Sequence, residues 1–251
     1  MNNPLRDGYV QQGAQTAAGI DEGLRAYMLR VYNYMAIGLA ITGIAAMGMF
    51  QLAVVQDASG AVVGLTSIGE AIYTSPLRWV IMLAPLGAVF FLSFRISKMS
   101  VPAAQFTFWA FAAVMGISLS SIFLVYTAES ITRVFFITSA AFGALSLWGY
   151  TTKRDISGWG SFLFMGLIGI IIASIVNIFL GSSALQFAIS VIGVLVFAGL
   201  TAYDTQRIKT MYYEGDSVEA SGRKAIMGAL SLYLNFINMF IMLLQLFGQR
   251  E

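Results

Sequence analysis

Cysteine and histidine are both absent from this chain of 251 residues. Without cysteine there are no disulfides, no thiol nucleophile and no thiolate metal site. Without histidine there are no imidazole ligands, no Ser-His or Cys-His pair and no ordinary neutral-pH switch. Charge is also scarce: Asp, Glu, Lys and Arg make up 10% of the residues, against roughly 25% in soluble domains. A net charge of +2 is too small to point to a nucleic-acid partner. Proton chemistry is left to 12 acids, the tyrosines and the basic side chains. Apolar residues fill the space, at 58% of the chain with a mean hydropathy of +0.79. A water-soluble fold of this composition would expose apolar surface over most of its exterior. The partner the composition demands is a lipid bilayer.

About 20 apolar residues cross the hydrocarbon as a helix, at about 1.5 Å per residue. Seven stretches qualify: Asn33–Val55, Trp79–Ser97, Ala103–Tyr126, Ile131–Tyr150, Gly158–Leu180, Ala184–Tyr203 and Ala225–Phe247. Each is about twice as long as a barrel strand requires, so the fold class is all-α, a polytopic bundle of seven transmembrane helices. Pro85 predicts a kink in the second stretch, its freed carbonyl satisfied by neighbouring helices.

Lys and Arg set the orientation. With the N-terminus in the cytoplasm, 11 of the 14 basic residues lie inside, leaving Arg78, Arg133 and Arg250 outside. The C-terminus is then outside. The first stretch starts after 32 residues and lacks a small-residue cleavage site, which predicts a retained span and not a signal peptide. Residues 1–24 read as a disordered cytoplasmic tail, Gln-, Gly- and Ala-rich over Met1–Gly19, ahead of a membrane domain over residues 25–251. Leu24, Tyr27, Met28 and Val31, behind Asp21 and Glu22, predict a short amphipathic helix lying on the inner surface.

Polar residues inside the spans are few. Gly166, Gly169, Ala173 and Asn177 form a small-residue packing stripe on the fifth. In the last, Ser231, Asn235, Asn238 and Gln245 share one face, with Met242 filling the gap. Amides are costly against lipid, so this helix is expected inside the bundle. Its stripe serves either packing or a pathway. Asp204 ends the sixth span in the run Ala202-Tyr203-Asp204-Thr205-Gln206, at a helix C-terminus where the macrodipole disfavours a carboxylate. It is either a surface partner of Arg207 at i+3 or a functional acid.

That run, together with Leu232-Tyr233-Leu234-Asn235-Phe236-Ile237-Asn238, Thr151-Thr152-Lys153-Arg154-Asp155-Ile156-Ser157 and Leu92-Ser93-Phe94-Arg95, resembles the bacterial branch of the Bax inhibitor-1 family. The resemblance extends from about residue 25 to the C-terminus. It implies six helices around a central seventh and a passive, pH-sensitive calcium leak. It also implies a gate in which two aspartates on the last two spans share a hydrogen bond, braced by an arginine from the second span. Asp204 matches the first aspartate and Arg95 the arginine; Asn235 stands where the second aspartate is expected. Two close carboxylates titrate as a pair, whereas an asparagine donates an N–H and has no proton to lose. The expected pH response is therefore weaker, or displaced to lower pH.

The expectation is a channel-like protein with Asp204, Asn235 and Arg95 as latch and Asn238, Ser231 and Tyr203 lining the path. Calcium prefers six to eight oxygens, so its contact with Asp204 would be weak and transient, that of a permeant ion and not a cofactor. The alternative is a non-transporting regulator that binds a membrane protease, a stress or cell-death factor or another membrane protein through the tail and the loop Asp204–Lys224. An enzyme is not expected: His is missing, and the spans lack the second aspartate of an intramembrane protease. The matching segments point to a bacterial inner membrane.

Overall fold

A computed structural model describes the chain from Pro4 to Arg250 except Ser59, with side chains from Glu22 onward except Ser97. The predicted tail, residues 1–24, falls almost wholly outside the residues whose side chains are described. Seven long helices carry the fold: α1 (Pro4–Ala53), α2 (Leu77–Arg95), α3 (Val101–Leu119), α4 (Ala128–Thr151), α5 (Trp159–Leu180), α6 (Ser183–Thr210) and α7 (Val218–Phe247). Each is long and apolar enough to cross a bilayer, α1 through Glu22–Ala53.

Local chemistry sets their ends. Thr127, Ser182 and Ser217 cap α4, α6 and α7, their hydroxyls accepting the N–H groups of Ser130, Leu185 and Ala220, the N-terminal donors a helix cannot satisfy itself. Gly181 takes a left-handed conformation at φ 60° to close α5, a geometry that favours glycine. Between α1 and α2 the chain makes a small hairpin, β1 (Val54–Gln56) against β2 (Val62–Leu65).

The bundle is built from two trios. Helices α2, α3 and α1 pack in series, as do α4, α6 and α5, and α1, α3, α4 and α6 all lean on α7. In α7, 67% of the most apolar window is buried, whereas the other six range from 11% to 33%. The last helix is therefore the central one. Tyr233, at its middle, is fully buried, hydrogen-bonded to Thr42 Oγ1 at 2.6 Å and edge-on to Phe108 and Phe111. The periphery is the reverse of a soluble protein: Phe94, Phe162, Phe179 and Leu195 all face outward. Apolar surface on this scale is stable against lipid and not against water.

Two local expectations are corrected. Leu24, Tyr27, Met28 and Val31 do not form a separate surface helix; they continue into α1, with Tyr27, Met28 and Val31 buried in the main core. Asp204 does not sit at a helix C-terminus. Helix α6 runs six residues further, to Thr210, and places Arg207 and Lys209 in its last turn, where cations favour the dipole.

Candidate functional site

The run Ala202–Gln206 gives each side chain a separate contact. Ala202 meets Gly149 of α4 so closely that a Cβ there would lie 2.4 Å from the Ala202 carbonyl oxygen. Thr205 Oγ1 is 2.9 Å from Ser146 Oγ, and Ser146 reaches Tyr32 of α1. Gln206 clamps the loop after α4, accepting the Ile156 N–H at 3.0 Å and donating to the Arg154 carbonyl at 2.9 Å. In that loop the exposed Asp155 accepts the Ser157 N–H, which holds its carboxyl below the usual range. These contacts fix α6 against α4 and leave Tyr203 and Asp204 turned toward α5 and α7.

Asp204 is 7% exposed. Its Oδ2 accepts a hydrogen bond from Asn235 Nδ2 of α7 at 2.7 Å. Its Oδ1 lies 2.8 Å from Arg207 Nη2. The same Nη2 donates to Ser231 Oγ at 3.2 Å, and the guanidinium stands 5.8 Å over the Tyr203 ring. One carboxylate thus joins α6 to α7 twice, directly through Asn235 and through Arg207 to Ser231.

Around this contact lies a cleft of about 550 Å³ between α5, α6 and α7. Tyr203, Asp204, Ser231, Asn235 and Asn238 all line it, with Ser161 from α5. Asn238 spends an N–H on the Leu234 carbonyl of its own helix, which leaves its amide oxygen for the cleft. Asp204 is the one acid among the lining residues. The site offers a single carboxylate with amide and hydroxyl oxygens, fewer hard charges than a tight divalent-cation cage employs.

Five of the six expected site residues come together here. Arg95 does not: it is exposed at the end of α2, makes no ion pair among the described residues and does not line the cleft. Arg207 takes the bracing position instead. The i+3 spacing carried that signal in the sequence, as one of two open alternatives. Residues with no functional assignment from sequence include Gln206, which orders the neighbouring loop. Lys209 and Arg223 also fall in this group, donating to the carbonyls of Tyr150 and Met99 and gathering the basic ends of the helices on the side of the cleft.

Comparison with known proteins finds relatives along nearly the whole chain. The chain is 48% identical over 249 residues to an uncharacterised protein of Caulobacter vibrioides, covering 98% of each. It is 46% identical over 231 residues to one of Rickettsia prowazekii, covering 92% of each. It is 45% identical over 251 residues to the inner membrane protein YbhL of Escherichia coli, covering 99% of this chain and 98% of that one. The model of the family described as inhibitor of apoptosis-promoting Bax1 matches residues 24–251, so the chain belongs to the Bax inhibitor-1 family.

Proposed function

We propose that this protein is a channel-like, multi-pass inner membrane protein carrying a passive leak of calcium or a related cation, modulated by pH through an Asp204–Asn235 latch. The observation that supports this most is a buried carboxylate held between two helices at the wall of a polar cleft. Burying a charge is costly unless its partners are well placed, and packing α6 on α7 needs no charge. An ion that meets one carboxylate and a few neutral oxygens is held weakly enough to leave again, which suits conduction. The inner membrane location is supported by the likeness to the inner membrane protein YbhL of Escherichia coli and by the seven apolar helices.

Protonation of Asp204 would neutralise the charge that holds both Asn235 and Arg207 and turn one of its two oxygens into a donor, loosening α7 from α6. Asn235 cannot take up that proton. The Asn235→Asp variant would place two carboxylates in the same contact, where a proton is shared between them and retained to higher pH.

Calcium flux into dye-loaded proteoliposomes, measured against pH, tests both parts. Asp204→Ala is expected to flatten the pH dependence, and Asn235→Asp to move it to higher pH. Equal flux from wild type, Asp204→Ala and protein-free vesicles would remove the leak; an unmoved profile in Asn235→Asp would remove the latch.

A further inference from the structure

The latch cleft has a counterpart at the other end of the same three helices. A second cavity of about 400 Å³ is lined by Asn177 of α5, by Ser182, Gln186 and Ser190 on the α6 side, by Gln245 of α7 and, at its rim, by the exposed Arg250. Its side chains form one network. Gln186 Nε2 donates to Gln245 Oε1 at 2.8 Å, Ser190 Oγ donates to the same oxygen at 2.8 Å, and Asn177 Nδ2 donates to Gln186 Oε1 at 3.1 Å. Neutral amides and hydroxyls bonded in this way tie α5, α6 and α7 together at this end and line the cavity with polar groups.

Between the two cavities the seam is apolar. Ile170, Ile189 and Val196 form a small cluster of their own, joined by Leu167, Leu200 and Met242. On α7 the order along one face is Asn235, Asn238, Met242, Gln245, so Met242 is the single interruption of a polar stripe. Asn238 and Gln245 are seven residues apart, about 10 Å along the axis. Met242 lies against Gly193 of α6: a Cβ at that glycine would stand 2.9 Å from Met242 Cγ and 3.0 Å from its Sδ. The missing side chain is what leaves room for the thioether against α6. Methionine has three rotatable bonds and adapts its shape easily, and an apolar constriction of this length blocks ions by excluding water.

We infer that Met242, seated in the notch at Gly193, is a hydrophobic gate that separates the Gln186–Gln245 cavity from the latch cleft on a single cation path between α5, α6 and α7. This inference rests on the proposed leak and assigns it a route and a second barrier, independent of the titrating latch.

The absence of cysteine gives the test a silent background. An Asn238→Cys thiol in bacterial spheroplasts is exposed to a membrane-impermeant cationic methanethiosulfonate applied from the Gln245 side. A Gln245→Cys thiol, labelled readily from that side, controls for sidedness. With Met242 present the Asn238→Cys thiol is expected to resist the reagent; with Met242→Ala it is expected to react at least ten-fold faster. Met242→Leu, which keeps the volume, is expected to protect as methionine does and shows that the bundle is intact. Equal labelling rates in the Met242 and Met242→Ala backgrounds would overturn the gate. Calcium flux in the same variants keeps the two ideas apart. Flux that persists while labelling ignores Met242→Ala leaves the leak and discards the gate. Labelling that opens as expected while no variant passes calcium leaves the barrier and discards the leak.

Discussion

At the scale of single residues, the partners of Asp204 differ in what they contribute. Asn235 is buried and donates from a neighbouring helix to a charged oxygen. Hydrogen bonds between membrane helices average about 0.6 kcal/mol and reach about 1.7, and an ionised acceptor puts this one near the top of that range. The side chain of Arg207 is 46% exposed. Solvent screens such a pair to below about 1 kcal/mol, and its i,i+3 geometry adds nothing between helices beyond the reach to Ser231. Asn235→Ala is therefore expected to destabilise by about 1–2 kcal/mol, and Arg207→Gln by less. Thermal unfolding in detergent, with the double variant closing the cycle, measures both. A larger loss from Arg207→Gln would place the strength of the latch in the ion pair and not in the amide.

At the scale of helices, close approach is decided by glycine. Gly149 lets α4 rest on the α6 backbone, and a methyl there would meet the Ala202 carbonyl oxygen at 2.4 Å and Cα at 3.0 Å. Backbone cannot step aside as a flexible side chain can, so Gly149→Ala must push the two helices apart, at an overpacking cost of about 1–3 kcal/mol. Gly43 in α1 has nothing within 4 Å of an added Cβ, and Gly43→Ala is expected to be neutral or to gain up to about 1 kcal/mol of helix propensity. A lowered melting temperature for Gly149→Ala beside an unchanged or raised one for Gly43→Ala is the expected pair of results; the same loss in both would mean that the α4–α6 approach is not the cause. The same scale shows what was legible in the chain. Hydropathy located all seven spans to within a few residues wherever a short polar loop follows the apolar run. It failed where a helix outlasts the bilayer: α6 continues beyond Asp204, and α1 extends inward through Tyr27 and Met28. The apolar face of such an extension reads alike whether it lies on lipid or docks in the core. The meeting of Asp204 with Asn235, 31 residues apart, came from family resemblance, because spacing along one helix says nothing about register across two. For the same reason the Gln186–Gln245 bond, 59 residues apart, had no sequence signal beyond two amides in apolar spans.

At the scale of the molecule, charge and polarity divide the bundle along its axis. Arg207 and Lys209 close α6, Arg223 and Lys224 open α7, and Arg95 ends α2. Contacts from Lys209 to Tyr150, from Arg223 to Met99 and from Lys224 to Asp216 gather these ends on one side. The hairpin of β1 and β2 belongs to the other end, following α1 and preceding α2. A bilayer turns this asymmetry into an orientation, because basic loops are retained in the cytoplasm. On that rule the latch is expected to face the cell interior, where it would sense cytoplasmic pH, with the Gln186–Gln245 cavity on the outer side. Single cysteines decide the matter without a silent background having to be engineered: Ala58→Cys beside the hairpin is expected to react with an impermeant maleimide in intact cells, and Tyr213→Cys in the loop between α6 and α7 only after permeabilisation. Tyr213 is exposed, so its protection in intact cells would reflect sidedness and not burial. The opposite pattern would invert the molecule, move the latch to the outer face and make external pH the variable to which the proposed leak would respond.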